Sequence, residues 1–202
     1  MRKTYQVIVA DPPWTYSYSS VQSMSKGGKG CANDKYNTLD NKTLQKMPVE
    51  KLADPRGCVL FLWSSFALIE DCLAVMNAWG FKYKTTAVWT KHCKNRPLDD
   101  KLGVGYWFRS NAEPVLVGIK GPSSIARRTN AGNHFRTEAM RHSQKPEYLQ
   151  DLIDEHWDGY KAELFARRDR PGWDCWGEEL EPSSPRLVYA LGKSWVPEDD
   201  EA

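Results

Sequence analysis

No G-x-G-x-x-G follows any apolar run in these 202 residues. The glycine loop that seats a dinucleotide pyrophosphate at a helix start is therefore missing, which argues against ordinary nicotinamide chemistry. The five cysteines (Cys31, Cys58, Cys72, Cys93, Cys175) are odd in number and form no C-x-x-C pair, and the four histidines lack metal-ligand spacing. Neither a disulfide framework nor a zinc site is supported, so reduced thiols and no metal are expected, against zinc-dependent hydrolysis or deamination. No apolar run approaches the roughly 20 residues of a membrane span. The opening MRKTYQVIVADPPW lacks the apolar core of a signal peptide, and the expectation is a soluble, cytoplasmic protein without membrane contact.

Net charge is also small, at +2, but its distribution is not even. Residues 91–145 hold 11 Lys or Arg against 4 Asp or Glu, a local +7, and the remainder is −5. A charge run is usually a solvated face. This one is interleaved with Trp89, Tyr106, Trp107, Phe108 and Phe135, the mixture expected of a nucleic-acid surface.

What the chain does contain is VIVADPPW at residues 7–14. Four buried-type residues make a strand of the kind found inside a parallel sheet. Asp11 follows at once, and Pro12 and Pro13 fix φ and remove two N–H donors, so the strand must stop. Alone, such an Asp-Pro-Pro reads as a turn cap and a strand end. With the strand before it and Trp14 after it, the turn offers a carboxylate and the Pro12 carbonyl to accept two N–H bonds, and an indole on which a base can stack. That set suits a planar amine, and ligands of open α/β sheets bind at the carboxyl ends of strands.

DPPW resembles the catalytic motif of amino-group methyltransferases, and the chain as a whole is similar to MT-A70-type adenine N6-methyltransferases. Further along, Tyr36-Asn37-Thr38-Leu39 stands where that family has Tyr-x-Thr-Met, and Ser143-Gln144-Lys145-Pro146 matches its S-x-K-P. ELFAR at 163–167, G-W at 172–173 and W-G-E-E at 176–179 follow in family order. The resemblance spans roughly residues 7–180. It implies S-adenosylmethionine as methyl donor, with Asp11, Pro12, Pro13 and Trp14 catalytic. Asp11, Lys145, Arg167, Glu178 and Glu179 are expected at the cofactor, Lys145 reaching its carboxylate and the acids its ribose. Glu178 replaces the family's Asn but can still accept from ribose hydroxyls. Tyr36 would approach the target base. Glu113, just before the apolar LVGIKG run, is either a substrate-contacting acid or a surface turn residue.

The remaining periodicity predicts a helix at 41–47 capped by Asp40, a buried strand at 57–65, a helix at 66–79 stopped by Gly80, and a strand at 84–90. Strand-helix-strand at this spacing is a βαβ unit. A hairpin through Ser110 and Asn111 joins strands at 105–108 and 114–120, giving an antiparallel edge. A helix over 147–156, with Pro146 in its first turn and Ser143 near its cap, precedes a strand at 161–166. The fold class is α/β: a Rossmann-like methyltransferase domain over residues 1–181, a mostly parallel sheet with helices on both faces and an antiparallel edge hairpin. Residues 15–30 form a mobile loop, and 182–202 a flexible acidic tail. Arg127 and Arg128, in the irregular stretch 122–133, are the expected phosphate contacts.

The function expected is methyl transfer to the N6 amine of adenine in nucleic acid, DNA in preference to RNA because no RNP sheet or zinc knuckle is recognisable. Methylation of RNA adenine or of cytosine N4 is the alternative within chemistry. A catalytically silent nucleic-acid-binding subunit is the alternative outside it. A homodimer or heterodimer is left open.

Overall fold

The computed structural model describes residues 3–16, 38–103, 107–122, 129–141, 143–180, 183–184, 187–188 and 191. Eight strands form one sheet: β1 (Val7–Ala10), β2 (Cys58–Trp63), β3 (Lys82–Cys93), β4 (Arg96–Asp100), β5 (Ala112–Lys120), β6 (His134–Glu138), β7 (Lys161–Leu164) and β8 (Trp173–Trp176). Their order is β4-β3-β5-β2-β1-β7-β8, with β6 also paired to β3. β1 lies between β2 and β7 and is parallel to both, and β7–β8 and β3–β6 are parallel too. All four residues of β1 and all six of β2 are buried, as their unbroken apolar sequences require of strands covered on both faces.

Among the described residues, helices α1 (Asn41–Lys46), α2 (Ile69–Ala78) and α3 (Tyr148–His156) cover the sheet. Asp40 caps α1 through the Thr43 N–H. Gly80 at φ +78° ends α2, where the Gly80 and Phe81 N–H groups reach back to the Asn77 and Met76 carbonyls in a Schellman arrangement. Leu44, Val75, Met76 and Trp79 from α1 and α2 pack on Ile8, Leu60 and Leu62 on one face. Leu149 and Ile153 from α3 pack on Val7, Val9, Val59 and Phe61 on the other. Helices on both faces of a mixed α/β sheet are what the sequence predicts.

One prediction is corrected. The apolar run at 114–120 is not the edge of a hairpin with 105–108: as β5 it is an interior strand, antiparallel to both β2 and β3. The edge hairpin is β3–β4, turning at Asn95 with φ +57°. Leu187 and Leu191, within the stretch expected as a tail, are buried in the core cluster with Ile8 and Ala10 of β1. The expected loop at 15–30, apart from Thr15 and Tyr16, and the tail, apart from Ser183, Ser184, Leu187, Val188 and Leu191, lie outside the described residues.

The topology brings several chain segments to one edge. β5 runs against β2, so its first residues sit beside the last of β2, and Ser64 N–H bonds the Pro114 carbonyl. The exits of β1, β2, β3, β7 and β8 and the entry of β5 therefore share the carboxyl edge of the sheet.

Candidate active site

Asp11 stands one residue past β1, its N–H on the Leu164 carbonyl at the end of β7. The prolyl turn that follows is tighter than the sequence suggests. Trp14 N–H donates to the Pro12 carbonyl at 2.9 Å, and Leu39 N–H to the Pro13 carbonyl at 2.9 Å. The Pro12 carbonyl is thus not free, although a second lone pair remains to it. The Leu39 bond laces the segment after Tyr36 to the turn. Trp14 is 8 % exposed, packs in the core, and donates its indole N–H to the Trp63 carbonyl at 3.0 Å. These contacts anchor the turn.

Lys145 Nζ sits 2.8 Å from each Asp11 oxygen and 3.5 Å from Glu113 Oε2. Lys91 Nζ bonds Glu113 Oε1. The result is an alternating chain, Asp11–Lys145–Glu113–Lys91, with two negative and two positive charges. Position in that chain explains the shifts of Glu113, Asp11 and Lys145. Burial raises the Glu113 carboxyl, but Lys145 and Lys91 flank it and together hold it below its usual range. Asp11 has burial against it and Lys145 as its near cation, while Glu113 repels it, so it rises above the usual carboxylate range. Burial opposes the Lys145 ammonium, yet Asp11 and Glu113 outweigh that and raise it. Glu113 therefore lies within β5, paired with both lysines, and not in a surface hairpin turn.

Beyond β7 the chain turns sharply. Ser143 and Phe165 have φ +61° and +63°, the left-handed region that costs a non-glycine residue on the order of 1–3 kcal/mol. Both flank the site. Ser143 does not cap α3, which begins after Glu147 with no side-chain cap; it instead accepts from Arg167 Nη2 at 3.1 Å. Arg167 Nε lies 3.4 Å from Glu179 Oε1. Gly177 makes this approach possible: a Cβ there would fall 2.1 Å from the Ala166 carbonyl oxygen, while Ala166 N–H bonds the Trp176 carbonyl. Lys145, Arg167 and Glu179 thus belong to one neighbourhood. Glu178 is exposed beside Glu179.

Sequence reasoning passed over Glu163, the one acid within the apolar KAELFA strand. It hydrogen-bonds Gln150 Nε2 at 3.2 Å, and burial pushes its pKa up to about 7, with Asp11 adding to the rise. A cavity of about 380 Å³ opens there, lined by Gln150, Glu163, Arg168, Asp169 and Arg170 among others. Gln150 Oε1 is buried without a hydrogen-bond partner among the described residues. Lys91 was counted only as one charge in a basic run. That run is partly corrected: Trp89 and Phe135 are core residues, whereas Trp107 and Phe108 are 84 % and 88 % exposed, near Arg109 in sequence. Tyr36, Arg127 and Arg128 lie outside the described residues.

The family model MT-A70 matches residues 5–179. The chain belongs to the MT-A70 family. It is 36 % identical over 193 residues to the Type II methyltransferase M.MunI of a Mycoplasma species, covering 89 % of this chain and 79 % of that protein. It is 28 % identical over 201 residues to the human N(6)-adenine-specific methyltransferase METTL4, covering 89 % of this chain and 38 % of the other. The human N(6)-adenosine-methyltransferase catalytic subunit METTL3 is 24 % identical over 180 residues, with 88 % and 28 % covered. The chain thus spans most of the Mycoplasma protein but well under half of the two human ones. This MT-A70 methyltransferase carries the family's DPPW at the carboxyl end of the central strand, and no helix among its described residues is long and apolar enough to cross a membrane.

Proposed function

We propose that this chain transfers a methyl group from S-adenosylmethionine to the exocyclic N6 amine of adenine in DNA. The observation that carries the reading is the Asp11 carboxylate, held by two 2.8 Å contacts to Lys145 at the exit of the central strand. The names of the relatives support adenine N6 as the acceptor. Similarity to a Type II methyltransferase of comparable length supports DNA over RNA.

S-adenosylmethionine supplies an electrophilic methyl on a sulfonium, and the residues present fit its groups. Its carboxylate suits Lys145 or Arg167, its ammonium suits Asp11 or Glu163, and its ribose diol suits Glu178 and Glu179 as acceptors.

The exocyclic amine is a poor nucleophile because its lone pair is delocalised into the ring. Asp11 accepts one amine N–H, and the second lone pair of the Pro12 carbonyl accepts the other. Both bonds strengthen as the nitrogen pyramidalises and its protons become acidic, so they favour the transition state over the ground state. The proton lost from the amine passes to Asp11, whose raised pKa makes it a better acceptor than an ordinary aspartate. Lys145 holds the carboxylate in place throughout, and Trp14 fixes the turn from beneath. A duplex substrate requires the adenine to leave the stack.

Incubation with methyl-labelled S-adenosylmethionine and matched DNA and RNA oligonucleotides, single- and double-stranded, tests the reading. Label is expected in DNA containing adenine and absent when purine, which lacks the N6 amine, replaces every adenine. Label confined to RNA or to cytosine would overturn the substrate assignment, and cofactor binding without transfer to any polymer would point to a silent subunit.

A further inference from the structure

Lys91 lies two residues from the end of β3 and shares a strand face with Trp89, its Nζ 4.6 Å from that ring's centroid. Trp89 is fixed by an indole hydrogen bond of 2.8 Å to Thr137 on β6 and meets Trp63 edge to face at 5.8 Å. Lys145 Nζ sits 5.3 Å over the Trp63 ring. The two lysines therefore stand over two touching indoles, with Glu113 bridging them. Cations over indole faces are attracted by the ring quadrupole, so both ammonium groups have a fixed floor.

Resting on the methyltransferase reading above, we propose that Lys91 is a positioning residue for methyl transfer. It occupies Glu113, which leaves the Lys145 ammonium committed to Asp11 and keeps the four-charge cluster neutral, so that Asp11 stays ionised at working pH. Without Lys91 the cluster carries a net −1, and Glu113 draws Lys145 away from Asp11.

The direction follows from charge alone. Removing a cation beside two coupled carboxylates disfavours their anionic forms, so the pair's apparent pKa rises and the acid limb of the pH-rate profile moves to higher pH. The other groups acting on these carboxylates are Tyr16 after the prolyl turn, Glu163 on β7 and Arg167 beyond it. At the next position along β3, His92 pairs with Asp100 on β4 and with Glu138 on β6. All six are common to the wild type and the variants.

The test is the pH dependence of kcat/KM for adenine methylation in wild type, Lys91→Met, Lys91→Arg and the double variant Lys91→Met/Glu113→Gln. Methionine keeps the aliphatic packing on Trp89 and removes the charge. The acid limb of Lys91→Met is expected about 0.5–1 pH unit above wild type, a threefold to tenfold loss on the acid side. Lys91→Arg should retain the wild-type limb. The double variant, neutral again, should return the limb toward wild type even where its maximal rate is low. Carboxyl ¹³C shifts of Asp11 and Glu113 read the same displacement without turnover, with Lys91→Gln as a second uncharged variant. Failure of the wild type to methylate adenine would count against the functional reading, while a carboxyl titration unmoved by loss of Lys91 would overturn this inference. A limb displaced equally by arginine and methionine would also overturn it, because shape and not charge would then matter.

Discussion

Replacing Lys145 by Met should reveal how much the contact with Asp11 contributes to folding. Both side chains are mostly withdrawn from water, 15 % and 21 % exposed, and the residues are 134 apart in sequence. Breaking a buried ion pair by removing one partner costs about 3–5 kcal/mol, because the other charge is left without compensation. The residual exposure of Asp11 lowers that figure, so a loss of about 2–4 kcal/mol is expected at pH 8. In Lys145→Met the folded Asp11 pKa rises further above its unfolded value. The folded state then binds the extra proton between those two values, and its relative stability falls as pH increases across them. The penalty should therefore be smaller at pH 5 than at pH 8. Urea denaturation at both pH values, on wild type, Lys145→Met, Asp11→Asn and the double variant, measures it. The double variant should be less destabilised than the sum of the singles by about 1.5 kcal/mol or more, since a neutral amide in place of the carboxylate leaves no buried charge behind. A loss below about 0.5 kcal/mol with no coupling, the behaviour of an exposed surface pair, would refute the reasoning.

Glu163, raised to about 7, carries the same sign. Wild-type stability should fall on the order of 1–3 kcal/mol as pH rises from about 4.5 to 7, and Glu163→Gln should flatten that dependence in thermal melts. Trp14→Ala should cost about 3–5 kcal/mol through lost core packing, and Trp14→Phe about 1–2 through the orphaned Trp63 carbonyl, both read by urea midpoints. Gly177→Ala should be disproportionately harmful for a single methyl, since its Cβ would meet the Ala166 backbone at 2.1 Å; poor expression or loss of the cooperative transition is expected. Recovery of a stably folded, cofactor-binding Gly177→Ala protein would show that β8 does not need this approach.

The legible parts of the fold were those where local pattern and tertiary role coincide. β1 and β2 read as interior strands because their apolar runs are unbroken, and α2 stopped at Gly80 because the Schellman turn has a sequence signature. β5 was found as a strand but misplaced, since periodicity identifies a strand and not its partners. Its nearly continuous PVLVGI run was the overlooked sign of burial on both faces. β6, with the sequence HFRTE, has one buried position and was invisible among its charges. Of the residues that motif order names, the structure brings Asp11 to Lys145 and Arg167 to Glu179. The Glu113 bridge and the role of Lys91 depend on β5 lying beside β3, a pairing that no spacing within either segment encodes. The burial of Trp14 is not legible in the sequence, because an aromatic after a turn has the same sequence whether it faces a ligand or the core.

The most direct test is the identity of the modified nucleoside. A DNA duplex should be methylated by wild type and by Asp11→Asn with S-adenosylmethionine, then digested to nucleosides and resolved by mass spectrometry. The mechanism predicts N6-methyldeoxyadenosine from wild type and at least about 100-fold less from Asp11→Asn, the loss associated with removing one transition-state hydrogen-bond partner. Methylcytosine in place of methyladenine, or an Asp11→Asn variant as active as wild type, would contradict it.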